Sequence, residues 1–167
     1  MAVWVYFDAS ALVKRYSAED GTDLVNELFR QLPLSQMTCA MIGILEIVSV
    51  LVRKRNDGRL SPKLFNQAMI ELNQELIEEE AFFMAAIDDA IVLSALDLIA
   101  QHNINATDAI VLRSCLNFLR ALTAQDNHRL LLWSCDKRLL RAAQHEGVDI
   151  FDPEVETKAN LQKLLTN

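Results

Sequence analysis

Residues 3–8 read Val-Trp-Val-Tyr-Phe-Asp, an apolar run that stops on a carboxylate. Small residues and a helical polar–apolar pattern follow (ASALVKRY, 9–16). A buried strand that ends this way sets its acid on the carboxyl edge of a sheet, where open α/β folds bind ligands. The pattern returns near the other end of the chain. Residues 130–133 (LLLW) run into Ser134, Cys135 and Asp136, and a helix pattern follows (KRLLRAAQHEG, 137–147). Two such strands lying parallel bring Asp8 and Asp136 to one crevice.

Between these anchors strands alternate with helices. Strands are expected at 2–7, 34–38, 82–87, 130–134 and 148–151. Helices are expected at 10–16, 21–31, 40–56, 61–79, 89–101, 107–122 and 137–146, with a last one opening at Asp152-Pro153. Ile44, Ile47, Val48, Leu51 and Val52 give the 40–56 helix a core face. Ser61 before Pro62 is an N-cap with proline at the first helical position. Asp88 and Thr107 are read as caps of the helices that follow them. Such alternation implies right-handed crossovers and a three-layer α/β/α fold with a central parallel sheet. The 167 residues fit one domain, taken as 1–153 with 154–167 as its C-terminal helix.

Composition narrows the function. Hydrophobic residues make up 51% of the chain, with 4 Gly and 3 Pro, so a substantial core is expected rather than a loop-rich chain. Sixteen Lys and Arg against 23 Asp and Glu give a net charge of −7, the opposite of a simple basic footprint for nucleic acid. Cys39, Cys115 and Cys135 lack metal-ligand spacing, and His102, His128 and His145 form no cluster in sequence. The first residues lack a basic stretch and a cleavage site, so a cytoplasmic protein with reduced thiols is expected. Residues 81–100 are apolar, but Asp88, Asp89 and Asp97 interrupt them, which argues against a membrane span.

Four carboxylates stand apart. Asp8 and Asp136 end strands, and Asp108 opens a helix, so each can be read as a cap or a first-turn acid. Glu46 is harder to place as structure. It lies in GILEIVSVLV (43–52), where little polar face exists to carry it. Charged groups are rarely buried unless paired or bound to metal. Asp20, Asp57, Asp88, Asp89, Asp152 and the run 78–80 read as turns, caps and solvated surface. Acids packed together repel unless they bind a proton or a cation. Their hard oxygens suit Mg²⁺ or Mn²⁺, which can activate water for attack on a phosphodiester. The same acids serve an RNA nuclease, a DNA nuclease or a phosphatase. A non-catalytic interaction module, its acids merely capping helices, is the non-enzymatic alternative.

These motifs resemble those of the PIN-domain ribonucleases, and among them the VapC-like toxins of type II toxin–antitoxin pairs. FDASALVKRY (7–16) is similar to the family's first motif, with Asp8 as ligand and Ser10 as a supporting hydroxyl. Glu46 in LEIVSVLVRK (45–54) and Asp108 in TDAIVLRSC (107–115) match the second and third acids. SCDKRLLRAAQHEGVDIFDP (134–153) resembles the last motif, with Asp136 as the fourth acid and Ser134 as a hydroxyl. The resemblance implies a PIN-like fold and Mg²⁺- or Mn²⁺-dependent cleavage of RNA by a metal-activated water. It also implies an antitoxin partner and a homodimer. Lys14 and Lys137 are expected to contact phosphates. Helical stripes at Leu24, Val25, Leu28 and Phe29, and at Leu64, Phe65, Ala68 and Met69, are expected to serve the core, part of them a partner.

Overall fold

The structure is a computed structural model that describes residues 2–125 and 128–166. Five parallel strands, β1 (Val3–Phe7), β2 (Met37–Ala40), β3 (Phe83–Ala85), β4 (Arg129–Trp133) and β5 (Asp149–Phe151), form one sheet in the order β3-β2-β1-β4-β5. The chain steps outward from β1 to β3 on one side, then returns to place β4 on the other. Between β1 and β4 the direction of winding reverses, and the connections leaving the two strands diverge, opening a crevice at their carboxyl ends.

Strand alternation divides the core in two. Val3, Val5 and Phe7 of β1, with Leu131 and Trp133 of β4, face one layer. That layer holds α1 (Ala9–Leu12), α2 (Thr22–Gln31), α3 (Met41–Asn56), α4 (Pro62–Leu72) and α9 (Lys158–Thr166). Tyr6, Leu130 and Leu132 face the opposite layer, made by α6 (Leu96–His102), α7 (Ala106–Gln125) and α8 (Lys137–His145). A short α5 (Asp89–Ser94) precedes α6. The aromatic seam Phe7–Trp133–Phe151 locks the strand ends, with Trp133 stacked on Phe151 at 4.2 Å and edge-on to Phe7 at 5.7 Å.

The α/β class and the all-parallel sheet agree with the sequence reading; several boundaries do not. The expected strand at 34–38 begins instead at Met37, because Pro33 opens a tight turn in which the Gln36 amide donates to the Pro33 carbonyl. The expected helix at 61–79 starts on its Ser61 cap but loosens into a π-type turn over Asn73–Ile77. The helix expected at 89–101 breaks at Ala95, where the Arg113 side chain takes the Ser94 carbonyl at 2.9 Å. Thr107 is not the cap of α7. Asn105 is, accepting the Asp108 amide at 2.8 Å. Asp152-Pro153 forms a turn, and the last helix begins at Lys158 after the Thr157 hydroxyl caps it.

The turn entering α2 abuts that C-terminal turn. Gly21 has φ +87°, and a Cβ there would sit 2.8 Å from the Pro153 carbonyl oxygen. Gly58 has a similar φ of +80° with nothing within 4 Å. Gly21→Ala should therefore cost about 2 kcal/mol, from backbone strain plus contact, and Gly58→Ala about 1 kcal/mol, from strain alone. Chemical denaturation of the two variants checks the difference; equal costs would show that the Pro153 contact is relieved without expense.

Candidate active site

β1 and β4 pair through Phe7↔Trp133, and the Asp8 amide extends the ladder one step by donating to the Trp133 carbonyl at 2.9 Å. Asp8 is thereby fixed where the two chains part. Its Oδ2 accepts the Ser134 hydroxyl at 2.9 Å, the Ser10 amide at 3.2 Å and, very closely, the Ser10 hydroxyl. Ser10 Oγ in turn accepts the Cys135 amide at 2.9 Å, and Ser134 Oγ accepts the Asp136 amide at 3.0 Å. The two serines therefore tie the start of α1 to the loop after β4. Oδ1 of Asp8 has no protein donor among the described residues.

The other acids arrive on three helices. Glu46 projects from the second turn of α3 and makes no hydrogen bond among the described residues. Asp108 lies in the first turn of α7, where its amide donates to Asn105 Oδ1 and its Oδ2 accepts from Asn105 Nδ2 at 2.7 Å. This reciprocal cap holds the carboxylate in one orientation. Asp136 is the N-cap of α8, its Oδ1 accepting the Arg138 amide at 2.7 Å and the Leu139 amide at 3.2 Å. Asp8, Glu46, Asp108 and Asp136 all line one cavity of about 440 Å³, together with Ser10, Ser49 and Arg53.

Crowding shows in the protonation of these groups. Partial burial, then the charges of Asp8 and Asp108, push the Glu46 carboxyl up to about 7. Burial, followed by Asp136 and Asp8, pushes Asp108 up to about 6, and Arg138 opposes that rise. Two carboxyls pushed up toward neutrality mark a site short of positive charge. Hard carboxylate oxygens around an open cavity fit a divalent cation of the Mg²⁺ or Mn²⁺ kind. Asp8, Glu46, Asp108 and Asp136 would hold it, each with an oxygen free of protein donors among the described residues.

The two expected phosphate contacts are not in this cavity. Lys14 is buried to 2% exposure, with Nζ on Glu154 at 2.6 Å and Glu19 at 3.1 Å. Burial opposes its charge, yet the two carboxylates outweigh it and hold the ammonium above its usual range. Lys137 is exposed but closed on the Asp152 carboxylate. Arg53, from the last turn of α3, lines the crevice instead and has no carboxylate partner among the described residues. Asn105 is the functional residue that the sequence reading missed. Its signal was the Asn-x-x-Asp spacing of a reciprocal cap.

Comparison with known proteins bears on the family and the fold. The profile of the PIN domain matches residues 5–145. No curated protein sequence matches. Among solved structures, the chain is similar to a crystal structure of FitAcB from Neisseria gonorrhoeae, with a TM-score of 0.63 and 17% identity, covering 91% of this chain and 99% of that one. A structure of FitAB bound to an IR36 DNA fragment gives 0.65 and 14%, covering 92% and 99%. PAE2754 from Pyrobaculum aerophilum gives 0.56 and 16%, covering 100% and 98%. At these identities the likeness to solved structures is one of fold.

The raised Glu46 carboxyl has a thermodynamic consequence in the metal-free protein. The folded chain keeps a proton that the unfolded chain releases above its ordinary value of 4.5, so the stability contributed by Glu46 falls as pH rises from about 4.5 to 7. Discounted for partial exposure, the loss is about 1–2 kcal/mol. Glu46→Gln should then stabilise the metal-free protein at pH 8 and leave it unchanged at pH 4, with saturating Mn²⁺ reversing the order at pH 8. Denaturation curves in EDTA and in Mn²⁺ measure this; a Gln variant no more stable than the parent at pH 8 would remove the argument for charge crowding.

Proposed function

The chain belongs to the PIN-domain family, and on that premise we propose that it is a metal-dependent endoribonuclease, the toxin of a toxin–antitoxin pair. PIN domains are generally nucleases that use divalent metal ions. The observation that carries the reading is the meeting of Asp8, Glu46, Asp108 and Asp136 in one cavity at the reversal point of the sheet. The choice of RNA, and of Mg²⁺ or Mn²⁺, rests on the resemblance of the four motifs to VapC-like toxins. The fold shared with FitAB supports the same assignment.

A bound dication supplies Lewis acidity toward water and toward the phosphodiester. The chain supplies order. Ser10 and Ser134 hold one oxygen of Asp8, so that carboxylate cannot swing away to relieve repulsion. Asn105 does the same for Asp108, and the first amides of α8 do so for Asp136. Glu46 has no such tether among the described residues, so its carboxylate is the one free to adjust to the cation. Arg53 is placed to meet a phosphate entering the crevice.

Most of the two helical stripes serve the core, as expected. Leu24, Val25, Leu28 and Ala68 are buried in the core, leaving Leu64 exposed. Exposed apolar surface lies elsewhere, at Met41, Leu45 and Ile77 around a groove of about 460 Å³, and at Leu93 and Leu96. We assign the groove to the antitoxin and the Leu93–Leu96 face to a second copy of the chain. The three free thiols and the absence of a membrane-length helix among the described residues fit action in the cytoplasm.

Asp8→Asn and Asp108→Asn should each reduce cleavage of labelled RNA in Mn²⁺ by about a hundredfold or more, as should EDTA, with far-UV circular dichroism unchanged. Asn105→Ala should cost about tenfold, because it loosens a ligand without removing it. Cleavage surviving both Asp variants would end the assignment, and equal cleavage of DNA of the same sequence would end the choice of RNA. Joint replacement of Leu93 and Leu96 by Glu should convert a dimer to a monomer in sedimentation velocity. An unreplaced protein that sediments as a monomer would remove the dimer.

A further inference from the structure

Resting on the ribonuclease reading above, we propose that the RNA backbone leaves the acidic crevice along the outer face of α8, where Arg138, Arg141 and His145 take its phosphates. Leu139, Leu140, Ala142 and Ala143 bury one side of this helix. Arg138, Arg141 and His145, three and seven positions apart, share the exposed side. From Arg138 to His145 the helix rises about 10 Å, so the three side chains run along the helix rather than around it. The stripe starts at the crevice. Arg138 lies two residues from Asp136, donates its amide to that carboxylate, and its charge reaches Asp108.

A cavity of about 310 Å³ lies beside the stripe, walled by Arg138, Arg141 and His145 on α8 and by His102 and Asn103 at the end of α6. Its chemistry selects an anion over a cation. His102, His145 and Glu146 do bring three ligand atoms within 4.8 Å of one another, a grouping their sequence positions did not reveal. Glu146, however, is engaged by His102 Nε2 at 2.7 Å. Two guanidiniums open on the same space, and their charge opposes a dication at any effective dielectric. Guanidinium forks match phosphate oxygens, and the amides of Asn103 and Gln101 add neutral donors.

Arg138 and Arg141 have no carboxylate partner among the described residues, whereas Lys14 and Lys137, the other cations that follow strand-end acids, are closed in ion pairs. Arg53, Arg55, Lys63, Arg113, Arg120, Lys158 and Lys163 share that lack of an ion pair, so what singles out Arg138 and Arg141 is their place on one helix face that begins beside the crevice.

The test uses the full chain with Asp8→Asn, to silence cleavage, and a fluorescent single-stranded oligouridylate in EDTA. Binding is followed by anisotropy across a salt series. Arg141→Ala should weaken binding about fivefold to tenfold and lower the slope of log affinity against log salt by about 0.7. Arg141→Lys should restore the slope, and Lys63→Ala on α4 should change nothing. If the Asp8→Asn protein binds RNA and Arg141→Ala leaves affinity and slope untouched, the track is wrong and the nuclease reading stands. If the Asp8→Asn protein fails to bind RNA at all, both fall. If polyglutamate competes as strongly as RNA and Arg141→Ala abolishes that competition, the face holds an acidic protein segment instead.

Discussion

The parallel pairing of β1 with β4 is the constraint on which the molecule depends. It aligns Phe7 with Trp133, carries the Asp8 amide onto the Trp133 carbonyl, and so sets the first acid where the two chains part. The same junction is where the winding of the sheet reverses. Successive helices cover opposite faces there, and neither covers the crevice. Ser134 then reaches back to Asp8, so the bonds that close the sheet also orient the site. A slip of this register by one residue would turn Val5 and Phe7 out of their layer and Asp8 away from Ser134.

Whether a strand-end acid is a cap or a ligand proves a false choice in this protein. Asp136 gives Oδ1 to the first amides of α8, Asp108 gives Oδ2 to Asn105, and Asp8 gives Oδ2 to two serines. Each keeps its second oxygen free of protein donors among the described residues. Capping removes rotational freedom that would otherwise let the acids drift apart. It also turns the positive end of α8 toward the cluster, easing part of the repulsion. The remainder is carried by the core behind the site, where Phe7, Trp133 and Phe151 are almost fully buried and interlocked. Acids that repel stay together because moving them would open that seam.

Legibility in the sequence followed the range of the interaction. β1, α3, the Ser61 cap and α8 depend on neighbours a few residues away, and their patterns could be read directly. Glu46 was legible by contradiction, as a charge in an apolar helix. Lys14 was not legible, because its burial depends on Glu154, 140 positions distant. The break at Ala95 depends on Arg113 from another helix, and the approach of His102 to His145 on the packing of α6 against α8. The Asn105 cap was local and was missed for another reason. Thr107 is an acceptable cap by residue type, and the reciprocal bond to Asp108 decided between them.

Net charge misleads because it sums over distances that solvent does not transmit. Asp8, Glu46, Asp108 and Asp136 are four of the 23 acids behind the net charge of −7, and all four line one cavity. Many of the remaining acids sit on their own cations, as where the exposed Glu19 and Glu154 close over the buried Lys14, and Glu19 over Lys54. Beyond a Debye length, about 8 Å at physiological salt, exposed charges scarcely act on one another. A polyanion approaching the crevice therefore meets the local balance, in which Arg53 on one rim and Arg138 beside Asp108 have no ion-paired carboxylate among the described residues. An acidic protein can receive nucleic acid when its acids are gathered into a metal-sized cluster and its free guanidiniums are left at the edge.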